Sequence, residues 1–551
     1  MKRKALKLIT LCLCLIIVGT MAAGCQGSGK GKDDAAYSNG TKSTSEETDK
    51  TSDAGSSKKL SDELVVLKAL RDDPASQPIR QDSPTYKYIE ENLNVRLEIE
   101  AVPAASYEDK KKILITTNNL PDLMLVKQQD IKDFAKSGVF LNISENMDKM
   151  PNFKRLYEMY PDMRKLQVDG SLYGCPITCR WQERGGQTCV VRIDLLEKNN
   201  LDIPKSFDEF YEVLKVFKEK YPDKIPFTNR KGGSTSGTQK VLDTMAYPLG
   251  SGSGIYFDHD VEGGKYLYGP ATPQFKEVLK YLNKLYAEKL LDQDYATNTA
   301  EQWKEKMSSG KALSYFDNAG FAEDFNLALS EIDPDAAVVP IPTMSNSLGQ
   351  TRNWFYQKHW FSSSYIISSS SKNKDVAIAL YDWFYSEEGC DLMGFGIEGE
   401  HFEYVDGKPK MLDSVLKQYA DANAPAYELS SALGIGYFAF NPYVDQGGGF
   451  QMKIYGMDPE NPTIFRKWFS KIETDPGMRE PILDPPFTFE EAQRYKELKS
   501  AVDNILVPEY DKYIMGLEPI ENYDKVIERA RAAGAKEIED IYNAAARRLA
   551  N

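Results

Sequence analysis

Histidine is nearly missing from this chain: His259, His359 and His401 serve 551 positions and stand far apart. Without a His-Glu-x-x-His spacing, no helix presents the paired imidazoles of a zinc hydrolase. A Gly-x-Ser-x-Gly elbow and a Gly-x-x-x-x-Gly-Lys-Ser/Thr phosphate loop are missing too, which removes the recognisable serine-hydrolase and phosphate-loop chemistries. Positive charge is in deficit, with 68 Lys and Arg against 82 Asp and Glu and a formal net charge of −14. A surface of that sign repels phosphodiester backbones and anionic headgroups, so nucleic acid is excluded as a partner. Cysteine is scarce beyond residue 25, where only Cys175, Cys179, Cys189 and Cys390 remain. The first three lack a neighbouring His or fourth Cys to complete a tetrahedral zinc set, which leaves buried free thiols or one disulfide as their readings. No metal and no cofactor is expected.

Long apolar runs are equally rare, and the one that occurs, at 8–20, follows Lys2, Arg3, Lys4 and Lys7 and precedes small residues and Cys25. It is short for a membrane span but right for the apolar core of an export signal. The pattern resembles a bacterial lipoprotein signal, which implies a signal peptide over 1–24 and lipidation of Cys25. Residues 25–60 hold Gly, Ser, Thr, Asp and Lys with almost no large apolar side chain, a composition that does not bury enough surface to fold. They are expected to act as a flexible leash. One acyl chain binds a bilayer only marginally, so a multiply acylated Cys25 is expected to hold the protein on the outer face of the membrane.

The remaining chain is longer than one core usually serves, and its helical and extended patterns alternate, which predicts an α/β protein of two lobes. Ser206 with Glu209 reads as a capping box before Phe210, Leu214 and Phe217. Thr272-Pro273 opens a second helix with the stripe Phe275, Leu279, Leu282 and Tyr286. A third is predicted over 375–388, ended by Gly389, and a fourth starts at Thr488 with Glu491. The terminal helical region over 523–548 carries a potential break at Gly534. Short β-rich runs at 64–67, 95–99, 123–126, 312–316 and 338–341 read as buried strands.

Several stretches then occur in a telling order: Asn119-Leu120-Pro121-Asp122, Lys136-Ser137-Gly138-Val139-Phe140-Leu141, Asp169-Gly170-Ser171-Leu172-Tyr173-Gly174, Ile203-Pro204-Lys205-Ser206-Phe207, Ser386-Glu387-Glu388-Gly389 and Gly396-Ile397-Glu398-Gly399-Glu400. In that order they resemble the carbohydrate-type extracellular solute-binding proteins of bacterial ABC importers, in particular the large lipoprotein subgroup that includes alginate-binding members. The resemblance implies a two-lobed α/β fold of the periplasmic-binding-protein type II, with a ligand cleft between the lobes. It places residues 61–185 and 350–405 in an N-terminal lobe and 186–349 and 406–551 in a C-terminal lobe. It implies a binding protein, not an enzyme, that captures an oligosaccharide by lobe closure and delivers it as a monomer to the transmembrane permease subunits. Many relatives carry a calcium loop after the helix that here ends near Lys220. Tyr221-Pro222-Asp223-Lys224-Ile225-Pro226 lacks the successive Asp and Asn ligands for one.

A sugar cleft needs flat aromatic faces for pyranose rings and fixed polar groups for hydroxyls. Trp354 and Trp360 are candidates, their alternative being the core face of a strand. Tyr173, Arg180, Trp181 and Glu183 lie on the expected crossing between lobes, where Arg180 could fork onto hydroxyls or a uronate carboxylate, or where all four simply pack the hinge. Asp317 and Asn318 end a predicted strand and face either the cleft or a helix cap. By the resemblance, Glu398 or Glu400 touches ligand, against a solvated loop charge. Tyr437 is the candidate from the glycine-rich and aromatic stretch 435–455. Two rival functions share this address: a glycan hydrolase or lyase, and capture of a peptide on the same fold.

Overall fold

Strand-forming runs separated by amphipathic helices assemble into two larger sheets with separate cores and several two-stranded ones. The computed structural model describes residues 59–75, 77–181, 186–232, 235–355, 363–420, 422, 425–445, 457–458 and 461–550. Its site-forming strands are β1 (Val65–Asp73), β2 (Val95–Pro103), β3 (Leu123–Lys127), β4 (Cys175–Pro176), β5 (Thr178–Trp181), β6 (Gln187–Arg192), β7 (Ser314–Asn318), β8 (Val338–Pro340), β9 (Asn353–Trp354), β10 (Ser363–Ile367), β11 (Tyr443–Asp445) and β12 (Met478–Arg479). The first sheet runs β2-β1-β3-β10-β4, with β1 parallel to β2 and β3, and β10 antiparallel to β3 and β4. The second runs β8-β6-β7 and is antiparallel throughout. Strands β1, β3 and β8 begin within a residue of where the sequence pattern starts them. The run at 312–316 is displaced by two residues, to β7.

The first core draws on 67–179, 365–393 and 439–444, and the second on 189–344 and 487–545. The chain therefore passes between them three times. Residues 439–444, expected with the second lobe, pack instead in the first: β11 pairs parallel with β5, and the Phe440 ring lies 4.4 Å from that of Tyr365. A smaller cluster around Phe395, Phe402, Leu429 and Ile435 gathers the residues just before them.

The helix Phe207–Lys220 starts where Ser206 accepts from the Glu209 N–H, but Glu209 reaches the Lys205 N–H at 2.7 Å instead of closing the box on Ser206. Ser206→Ala is therefore expected to cost about 1 kcal/mol in chemical denaturation, the value of one lost N-cap. At the helix Phe489–Ile514 the reciprocal box of Thr488 and Glu491 is complete. The helix predicted over 375–388 is in fact two, Lys374–Phe384 and Glu387–Phe395. Ser386 caps the second one, so Gly389 sits in its first turn and ends nothing. The break at Gly534 is real: its φ of 120° suits glycine, and a Cβ there would lie 2.4 Å from the Leu498 side chain. The first turns of the helix Phe489–Ile514 reach across to the first lobe, through Lys496 to Asp133 at 2.7 Å and the Phe489 N–H to Asp169 at 3.1 Å. All four cysteines are buried and free, and burial pushes each thiol up, so none is a nucleophile at neutral pH.

Candidate functional site

In an open α/β sheet, ligands gather outside the carboxyl ends of the strands, where loops and helix starts bring polar groups together. In the first lobe that edge is the end of β1, the end of β3 and the start of antiparallel β10. A cavity of about 200 Å³ opens there, lined among others by Arg71, Lys111, Lys127, Ser363 and Tyr437. Arg71 is buried, and its Nη1 donates to the Tyr365 hydroxyl at 2.9 Å and to the carbonyls of Tyr437 and Ala439. Lys111 is fully buried between Glu108 at 2.9 Å and Asp130 at 2.6 Å. These cations are saturated by the fold, and they make the cavity wall stiff instead of leaving charge over for a ligand.

In the second lobe the corresponding edge is the start of β6, the first strand after the crossing from the first lobe. Gly186 stands there because a Cβ would lie 2.5 Å from the Trp354 carbonyl oxygen. On one side, Gln187 and Thr188 pair with Asn318 and Asp317 at the end of β7. On the other, Gly186 bridges Phe355 next to β9. The stretches that carry Trp354 and Asp317 thus flank β6 at this edge.

The Trp354 ring stacks on Tyr247 with centroids 3.8 Å apart and planes 21° from parallel, and the exposed His259 ring lies 5.8 Å from it. Arg352 supports the pair from beneath: its guanidinium lies 4.4 Å from the Tyr247 ring, its Nε donates to the Tyr247 carbonyl at 2.9 Å, and its Nη1 meets Asp258 and Asp260 at 3.0 Å. Arg479 reaches Asp260 from the other side at 2.8 Å. Two donors stay unused: Tyr247 Oη and Arg352 Nη2 are buried without a hydrogen-bond partner among the described residues. Burial pushes the Tyr247 phenol up to about 12 against the pull of Arg352, so it remains a neutral donor. Burial, and then the Arg479 charge, holds the His259 imidazole below its usual value, so it is uncharged at neutral pH.

On the other flank Asp317 is buried between two cations, with Arg230 Nε at 2.8 Å and Lys240 Nζ at 3.2 Å. The Arg230 guanidinium lies beside the rings of Trp303 and Phe321, 5.2 and 5.1 Å from their centroids, which are themselves 5.2 Å apart. A stacked aromatic surface beside fixed forked donors is what a sugar ring and its substituents need.

The structure redistributes the residues expected from sequence. Trp354 lies on the platform, while its neighbour Phe355 takes the core alternative with Ile472 and Met478. Asp317 sits on the wall. Asn318 adjoins it, and its Oδ1 accepts the Gly320 N–H in a turn before the helix Phe321–Ile332, whose N-cap is Gly320. Tyr437 lines the first-lobe cavity half-buried, with its ring 5.0 Å from Phe438. Tyr173 is half-buried against the first core. The Arg180 guanidinium is engaged by Asp445, Glu387 and Asp391, which fits its hinge-packing alternative. Exposed Glu398 neighbours that same cluster, its charge acting on Tyr404, whose hydroxyl donates to Asp391. Glu183, Trp360 and the Trp181 side chain lie outside the described residues. Sequence reasoning missed Arg230, Lys240, Tyr247 and Arg352. Only Arg352 carried a signal, since it shares the alternation of Trp354 two residues on.

The profile of the bacterial extracellular solute-binding protein family matches residues 73–389. The polygalacturonan/rhamnogalacturonan-binding protein YtcQ of Bacillus subtilis (strain 168) is 26% identical over 469 residues, covering 83% of this chain and 87% of that protein. Lipoprotein LipO of the same strain is 23% identical over 472 residues, again covering 83% and 87%. Among solved structures, the alginate-binding protein AlgQ2 without calcium ion superposes with a TM-score of 0.73 at 20% identity, covering 88% of this chain and 99% of that one. That likeness establishes the two-lobed α/β fold.

Proposed function

We propose that this chain, which belongs to the bacterial extracellular solute-binding protein family, captures an oligosaccharide between its lobes and presents it to the transmembrane subunits of an ABC importer. The Trp354–Tyr247 platform beside the start of β6 carries this reading, because its polar surroundings are fixed before any ligand arrives. A relative named for binding polygalacturonan and rhamnogalacturonan supports a glycan as the ligand class. Two lobes joined by three crossings suit hinge closure, in which ligand stabilises the closed state by touching both sides. The lobes we assign are 61–185 with 350–405 and 186–349 with 406–551, except that 350–355 goes with the second and 425–445 with the first.

The chain works as a monomeric receptor and not as an enzyme, with Cys25 lipidated at the outer face of the membrane and 26–59 as its leash. A relative named as a lipoprotein supports the anchor. Tethering raises the effective concentration of the loaded receptor at the permease. The test is titration of the purified protein with oligosaccharides, following tryptophan fluorescence and melting temperature together. Saturable change with the sugar recovered intact is expected, and turnover of the sugar would overturn the reading. Trp354→Ala is expected to weaken binding about tenfold, roughly 1.4 kcal/mol, alongside a small fall in ligand-free melting temperature from the lost Tyr247 stack.

A further inference from the structure

Resting on the oligosaccharide reading, we infer that the ligand is acidic, and that Arg230 and Lys240 read one of its carboxylates.

The observation is a charge imbalance in a fixed place. Asp317 is one carboxylate serving two cations, Arg230 and Lys240, and its Oδ1 also accepts the Asn318 N–H at 2.8 Å. The Asp317 side chain is 5% exposed, so solvent does little to screen the set. Among the described residues no second carboxylate pairs with either cation, in a chain whose formal net charge is −14.

The surplus is also oriented. Arg230 uses Nε on Asp317, and among the described residues its two terminal nitrogens have no hydrogen-bond partner. Contacts with Trp303 and Phe321 and the bond to Asp317 restrict the guanidinium, so part of the entropy of aligning it is lost on folding and not on binding. Two parallel N–H donors on a fixed plane match a carboxylate bidentately, and a hydroxyl only singly. Asp317, which holds the cation pair, and Phe355, next to Trp354, pair with β6 from opposite sides, so their backbones stand about two strand spacings apart, roughly 10 Å. A chain of sugar rings stacked at Trp354 therefore brings a neighbouring unit to Arg230. A neutral sugar leaves the surplus charge partly desolvated and unmatched, whereas a uronate cancels it.

The test uses the full chain and pairs of oligosaccharides: oligomers of galacturonate, glucuronate and mannuronate, each with its carboxyl-reduced neutral counterpart. Isothermal titration is run at low and high sodium chloride. For at least one pair the acidic member is expected to bind tenfold or more tighter, with the advantage shrinking at high salt. Arg230→Gln and Lys240→Met are each expected to cut that acid-to-neutral ratio about tenfold, while Arg230→Lys keeps part of the salt dependence. Ligand-free melting temperatures verify folding, since Asp317 keeps one cation in each variant. Neutral members binding as tightly as acidic ones in every pair would overturn the inference and leave the oligosaccharide reading standing. Substitutions that lower both affinities alike would also overturn it. No binding by any sugar, acidic or neutral, would sink both.

Discussion

Replacing Arg180 by Met is expected to lower the stability of the fold by about 3–5 kcal/mol, the cost of removing one partner from a buried ion cluster. The guanidinium lies on β5, in the first crossing between lobes. It donates through Nε to Asp445 at 2.9 Å, through Nη1 to Glu387 at 2.9 Å and through Nη2 to Asp391 at 2.5 Å. Asp391 and Asp445 are about one-tenth exposed, so water replaces little of what the variant loses. Two negative charges would then face each other beside a methionine, at the place where β11 pairs with β5 and where the chain leaves the first core. Glu387 is well exposed and contributes little to the cost. Arg180→Lys restores one charge but cannot fork onto three carboxylates, and it should fall between wild type and Met. Urea unfolding at neutral pH decides the matter. A loss under about 1 kcal/mol for Arg180→Met would place the cluster among ordinary surface pairs.

Asp292→Asn is expected to cost about 3 kcal/mol at neutral pH, again by breaking a buried pair, and the deficit should fade in acid. Asp292 Oδ2 accepts from Thr228 Oγ1 at 2.7 Å, Asn298 Nδ2 at 2.8 Å and Lys306 Nζ at 2.8 Å, while Oδ1 accepts the Asp294 N–H at 3.1 Å. It thereby joins the loop beside β7 to the helix Ala300–Ser308, on which Trp303 supports Arg230. Burial raises the carboxyl, but the bonds from Lys306, Thr228 and Asn298 outweigh it and hold the group below its ordinary value. A carboxyl depressed in the folded state stabilises fully above its unfolded pKa, near 4, and loses that contribution as pH falls through the lower folded value. The gap between wild type and variant in urea unfolding should therefore be widest at pH 5–7 and narrow below about pH 4. A gap that stayed constant across this range would show that the charge contributes nothing.

Features held within a few residues of one another were legible in the sequence. The caps at Ser206 and Thr488, the strands near 65, 95, 123 and 338 and the break at Gly534 depend on local propensity and on hydrophobic period, which a linear reading sees directly. Gly389 misled because a glycine near a helix end reads as a stop, while here the chain turns at Tyr385 and Ser386 into a new helix capped by that serine. The site was legible in part. Trp354 and Asp317 could be picked because aromatics and carboxylates at strand ends are informative by type. Arg180 could not be separated from a ligand-binding arginine, because Glu387, Asp391 and Asp445 lie more than 200 residues further on.

By itself, then, the amino-acid sequence determined an α/β chain of the extracellular solute-binding kind, through its alternating helical and extended patterns and an ordered set of local stretches. Only the tertiary structure decided which charges are spent and which are free. Arg71, Lys111 and Arg180 are neutralised within the fold, whereas Arg230 and Lys240 share a single carboxylate. The reason is physical: secondary structure follows from neighbours in sequence, but the pairing of a buried charge is settled by whichever opposite charge the packed chain brings within about 3 Å, at any sequence separation.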